Sequence, residues 1–209
     1  MSDRILDLSV WPRAVQFRLF RTYAKPHYAV TVRLDATVLM TRRKPAGQSP
    51  YRATGHAISS GIQAVPELRT RFRGDVVTEY AAIDLSMTVP LDDGTFGFGF
   101  VGHAAGYAEF AKAWAVAEDE VRAGLTAPNH GMRDDLAYLS CLPWLDYTSL
   151  DNAIGGPEDC IPRVSWGKIT QKDSRHEMPM TIECHHALVD GAHVGRFFEV
   201  VQTTLDDAP

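Results

Sequence analysis

The chain has 209 residues, 45% of them hydrophobic, with 26 acids against 21 bases and a net charge of −5. That length suits one domain, residues 1–209, with a sizeable core; the acid excess and the lack of a basic stripe argue against nucleic acid as a partner, and no apolar run reaches membrane-spanning length. The opening residues MSDRILDLSV lack the charged-then-apolar pattern of an export signal, so a cytoplasmic protein is expected.

Pro12 suits the first turn of a helix through RAVQFRLFRTY, in which Val15, Leu19 and Tyr23 share one face and Phe17 and Phe20 another. HYAVTVRLD alternates, with Tyr28, Val30, Val32 and Leu34 on one side of a strand. A helix is expected to start near Asp35 in DATVLMTRR and to break at KPAGQSP. YRATGHAISSGIQAV reads as a further helix, followed by Pro66 and the charged run ELRTRFRGD. VVTEYAAI, LSMTV and GTFGFGFV are short strands, with PLDDG as a turn. In the last of them Phe96, Phe98 and Phe100 form a row that is either a core or, because Gly97 and Gly99 allow close approach, the wall of a ligand pocket. YAEFAKAWAVAEDEVRAGL is the clearest long helix, APNHGMRDD a loop, LAYLSCLPWLDY a strand ending at Pro143, and PRVSWGKIT another strand. Helices and strands interleave without strict βαβ repetition, so a mixed sheet is expected.

The end of the chain, MTIECHHALVDGAHVGRFFEVV, is the most informative stretch. Met180, Ile182 and Cys184 alternate with Thr181 and Glu183, as in a half-buried strand. Continued, that parity sends His186 to the apolar side and His185 to the side of Glu183. Val194, Phe197, Phe198, Val201 and Leu205 then recur at helical spacing, and Asp190 stands at the N-cap. Three readings of His186 are open. It is a packed core histidine, a metal ligand with Asp190 and His193, or a general base at a strand end. The metal reading lacks an HExxH or a cysteine pair; the base reading needs the neutral imidazole that desolvation favours. The cysteines, Cys141, Cys160 and Cys184, are odd in number and unpatterned, which speaks against a disulfide framework.

HHALVDGAHVGRF, residues 185–197, resembles the HHAVCDGFHVARF signature of the chloramphenicol acetyltransferase family. WPR at 11–13 with Phe17, LSCLPW at 139–144 and SWGK at 165–168 resemble three further elements of that family, in the same order. The resemblance implies an α/β fold of α+β type: a mixed sheet with helices packed on one side, a two-layer sandwich. It implies acetyl-CoA as co-substrate, a small-molecule hydroxyl acceptor such as chloramphenicol, and no metal. It also implies a homotrimer with active sites at subunit interfaces, His186 from one subunit and the acceptor pocket mostly from its neighbour, and a role in antibiotic resistance. By the same resemblance His186 is the base, and Asp190 is a structural aspartate paired with Arg13. Ser140 is the oxyanion donor and a thioester contact, Lys168 a further CoA contact, and Ser165 a hydroxyl that holds a water. Leu19, Phe20, Tyr23, Phe96 and Tyr138 are expected in the acceptor pocket.

The sequence departs from the family pattern at Gln16, at DGTFGFG, at Ile169 and in KPAGQSPYRATGHA, all at substrate or CoA contacts. Three rival classes have separate marks. A dehydrogenase-complex acyltransferase core would carry a lipoyl domain, a non-enzymatic relative would lack His186 or Asp190, and a metal hydrolase would hold zinc.

Overall fold

The computed structural model describes residues 2–129 and 131–207; of the 127–135 loop, His130 lies outside them. In chain order the elements are β1 (Arg4–Ile5), α1 (Ala14–Phe20), β2 (His27–Asp35), α2 (Pro50–Ala64), β3 (Thr70–Arg73), β4 (Val76–Glu79) and β5 (Asp84–Pro90). They continue with β6 (Phe96–Val101), α3 (Tyr107–Arg122), β7 (Leu136–Leu142), β8 (Arg163–Gly167), β9 (Thr170–Lys172), β10 (Arg175–His185) and α4 (Gly191–Asp206).

The main sheet runs β2-β10-β8-β7-β5-β6, with β9 paired to the start of β10. It is mixed: β7 lies parallel to both β5 and β8, and the other pairs are antiparallel. The alternation in β2 buries Leu34 and packs Tyr28, Val30 and Val32 against the core. On that side lie α2, α3 and α4. The approach is close: a Cβ on Gly61 of α2 would stand 2.7 Å from Phe197 of α4, and one on Gly55 2.4 Å from Trp114 of α3.

Several local expectations are corrected. Gly97 and Gly99 of β6 make room for α3, not for a ligand: a Cβ on Gly97 would stand 2.4 Å from Val121. Phe96, Phe98 and Phe100 therefore face away from the helices. In α1 the Val15, Leu19, Tyr23 face is turned outward, with Val15 71% and Leu19 49% exposed, while Phe17 is buried. The helix expected after Asp35 is present at residues 37–43 and is a wide one, with Lys44 N–H donating to Leu39 O in the i→i−5 pattern. The strand at VVTEYAAI stops at Glu79, because it belongs to a separate small sheet, β1-β4-β3, which periodicity did not reveal. β10 is not half-buried: Thr181, Glu183 and His185 are as buried as Met180, Ile182 and Cys184.

On the face away from the helices, the register lines up a row of hydroxyls. Ser140 of β7 pairs with Ser165 of β8, Ser165 with Thr181 of β10, and Thr181 with Thr31 of β2. Thr31 and Thr181 share a hydrogen bond of 2.7 Å, and Tyr147 from the segment after β7 closes over the row through the Ser165 carbonyl.

Candidate active site

β10 ends at His185, and the two histidines part there. His185 is enclosed: one ring nitrogen, Nε2, donates to Pro157 O at 2.8 Å, and Nδ1 accepts from Ala187 N–H at 3.1 Å. Burial pulls its pKa down to about 4, against a smaller upward pull from the Pro157 carbonyl, so the ring is neutral. It is a satisfied core histidine with both nitrogens committed. His186 lies beyond the strand, its backbone N–H held by Pro26 O at 2.9 Å. Its ring stacks on Phe20 at 3.9 Å between centroids and leans on Tyr28 at 4.7 Å. Nδ1 is buried and has no partner among the described residues. Burial also pushes the neighbouring Tyr28 hydroxyl well above its usual range, so it stays neutral.

The turn after His186 is clamped from α1. Arg13 Nη1 donates to Asp190 Oδ2 at 2.5 Å, and Nη2 donates to the His186 carbonyl at 3.3 Å. Asp190 takes the N-cap of α4, with its own N–H donating to His193 Nδ1 at 3.1 Å. Burial raises the Asp190 pKa, but the Arg13 hydrogen bond and His193 outweigh it and hold the carboxyl below its ordinary range. His193 is thus used in capping, and the described residues contain no group of three or more His, Cys, Asp or Glu placed to hold a metal. Cys184 is fully buried, with its thiol pKa raised by desolvation, and is no nucleophile.

Ser140 stands elsewhere. It lines a cavity of about 970 Å³, walled by Tyr51, Phe96, Leu142, Trp144, Trp166 and Ile169, with Lys168 on its rim side. Of the expected contacts, the cavity gathers Ser140, Phe96 and Lys168; it does not include His186, Arg13, Leu19, Phe20, Tyr23, Tyr138 or Ser165. Phe20 is against His186 instead, with Tyr23 edge-on to Phe20. Tyr138 accepts from Asn129 Nδ2 and lies under Arg163. Ser165 is buried, its hydroxyl donating to Asn152 Oδ1 at 3.3 Å. Tyr51, Trp144 and Trp166 were not singled out from the sequence as cavity walls, although LSCLPW and SWGK contain the two tryptophans; the three converge from separated segments.

The register also fixes how far apart the two groups lie. Ser140 is two strands from Thr181 along one row, and His186 is five residues beyond Thr181. At about 4.8 Å per strand and about 3.3 Å per residue, His186 and Ser140 of one chain are about 19 Å apart. They cannot meet at one carbonyl carbon.

A mixed sheet backed by helices, with an Arg-clamped histidine turn at the end of its longest strand, defines a class: the fold of CoA-dependent acyltransferases. A solved chloramphenicol acetyltransferase superposes with a TM-score of 0.89 at 24% identity, over 97% of this chain and 99% of that one. A probable dihydrolipoamide acetyltransferase from Listeria monocytogenes shares the fold more loosely, with a TM-score of 0.72 at 14% identity over 92% and 89%. Within that class the chain belongs to the chloramphenicol acetyltransferase family, whose model matches residues 1–202. Chloramphenicol acetyltransferase 2 of Haemophilus influenzae is 26% identical over 97% of this chain and 96% of its own. A chloramphenicol acetyltransferase of Proteus mirabilis is 26% identical over 97% and 94%. The protein is therefore an acyltransferase, of a family that uses acetyl-CoA as co-substrate.

Proposed function

We propose that residues 1–209 form a single domain that transfers acetyl from acetyl-CoA to a hydroxyl of a small acceptor, with chloramphenicol as the first to test. The observation that carries this is the clamp at the end of β10: Arg13 grips both Asp190 and the His186 carbonyl, and the His186 ring is stacked on Phe20. A held imidazole is suited to take the proton of an acceptor hydroxyl as that oxygen attacks the thioester carbonyl. Ser140 donates to the oxyanion that forms, the tetrahedral intermediate collapses, and CoA leaves as the thiol. Arg13 and Asp190 position the base and take no proton. The apolar cavity that Ser140 lines suits the thioester arm, and Lys168 in its lining offers a cation to the anionic part of CoA.

Because His186 and Ser140 of one chain stand about 19 Å apart, the working site is assembled from two copies. His186, Phe20, Leu19 and Tyr23 come from one copy, and Ser140, Phe96 and Tyr138 from the next. Closed repetition of such a head-to-tail contact gives a ring, here a homotrimer. No helix among the described residues is long and apolar enough to cross a membrane, and we place the enzyme in the cytoplasm, where acetyl-CoA is available. In a cell exposed to chloramphenicol it would confer resistance.

The test is thiol release from acetyl-CoA with and without chloramphenicol, for the wild type and His186→Ala. Release that needs both the drug and His186, and that falls about 10²–10⁴-fold in the variant, supports the reading. Release driven by another hydroxyl compound in a panel would keep the mechanism and replace the acceptor. Release indifferent to His186 would overturn it.

A further inference from the structure

Glu183 is 1% exposed, and its carboxylate points from β10 into the sheet face that carries the hydroxyl row. Its Oε2 accepts two hydrogen bonds from one residue, Asn152: the backbone N–H at 2.9 Å and Nδ2 at 3.1 Å. Its Oε1 is buried without a partner. A buried carboxylate with an orphan oxygen is costly and has no packing rationale here.

The carboxylate does impose a direction. The Glu183 oxygen that takes the Asn152 backbone N–H is an acceptor, so the Asn152 amide must present its NH₂ to it. Its Oδ1 is then fixed toward Ser165. An amide oxygen cannot donate, so the Ser165 hydroxyl must give its proton to Asn152, as the 3.3 Å contact has it. What Ser165 has left are lone pairs. Ser165 is the register partner of Ser140 on the adjacent parallel strand, on the same face.

We propose that Glu183 is a positioning residue which, through Asn152, holds Ser165 as a hydrogen-bond acceptor beside Ser140. Ser165 so held receives a bond from an O–H on the acceptor side of the site, directly or through a water, and gives none to the oxyanion. That leaves Ser140 as the hydroxyl that donates there. This rests on the acyltransfer reading, and it adds a requirement on the acceptor substrate: a donor group, or a water bound to one, besides the hydroxyl that is acetylated.

The test is a double-mutant cycle. Glu183→Met keeps nearly the same length but removes the acceptor, so it frees the Asn152 amide to turn. The expected result is a five- to tenfold fall (about one neutral hydrogen bond) in kcat/KM for the hydroxyl acceptor, with KM for acetyl-CoA unchanged. In a Ser165→Ala background the same change should add nothing, because both act through one hydroxyl. Losses that multiply, or an equal rise in both KM values, would overturn the proposal. A readout independent of turnover is the pair of Asn152 side-chain amide signals, assigned by their loss in Asn152→Asp. Slow hydrogen exchange in the wild type and fast exchange in Glu183→Met support the proposal, and unchanged exchange sinks it. If the wild type acetylates no acceptor in a panel, the acyltransfer reading fails, and the amide exchange still decides whether Glu183 orients Asn152.

Discussion

At the scale of single residues, two neighbouring histidines are given opposite work by their surroundings. His185 has a folded pKa near 4, below its ordinary value of 6.5, because burial disfavours the charged ring. Between those values the unfolded chain binds more protons than the folded one, so stability is full above the ordinary value and falls as pH drops toward 4. Replacing His185 with Gln should flatten that part of a melting-temperature profile. Asp190 titrates in the same sense, lower down. Its carboxyl is held below 3.8, so its contribution is present above that value and is lost as pH falls through the depressed one. The Asp190 side chain is 38% exposed and solvent screens the pair, so Arg13→Ala should shift the melting temperature little. Its effect belongs on kcat, where loosening the His186 turn by about 1 Å is worth about a hundredfold. A Lys at position 13, which keeps the charge but cannot reach both Asp190 and the His186 carbonyl, should rescue little of it.

At the scale of elements, the fit of α3 to β6 depends on two missing side chains. Gly97→Ala puts a Cβ 2.4 Å from Val121, and overpacking of this kind costs about 1–3 kcal/mol. Val121→Ala in the same chain should recover most of the loss, read from chemical denaturation of the single and double variants. These contacts also show which elements could be read in advance. Strand β2 and helices α3 and α4 were legible, since each has one apolar face and one core to bury it in. The small sheet was not, because its strands are two to four residues long and one of them, TRFR, carries two arginines. The core face of β10 was legible from Met180, Ile182 and Cys184; the burial of its polar face was not, because the segment that covers Glu183 arrives from residue 152. The glycines of β6 were legible as a close approach, but the approaching partner was not.

At the scale of the whole molecule, Arg71 ties the small sheet to the large one. Fully buried, it donates to the carbonyls of Leu68, Thr70, Asp134 and Leu136, with no carboxylate among its hydrogen-bond partners. Arg71→Leu would strand those carbonyls at a cost of about 1–3 kcal/mol each where water cannot replace the donor. The expected outcome is insoluble or unfolded protein, not a folded enzyme of lower activity. The clamp of Arg13 on Asp190 and the His186 carbonyl was legible as a signature, because HHALVDG and WPR name its members in one line. The resemblance implied a site shared between subunits, but the distance from His186 to Ser140 was not legible, since it depends on strand order, a property of the sheet and not of any segment. That distance has a genetic consequence. On the proposed two-copy site, alleles encoding His186→Ala and Ser140→Ala each lack one of its two halves. Expressed together in equal amounts, they should form mixed rings in which about one interface in four joins an intact histidine to an intact serine. Function should then reappear at about a quarter of the wild-type level between alleles that are silent alone.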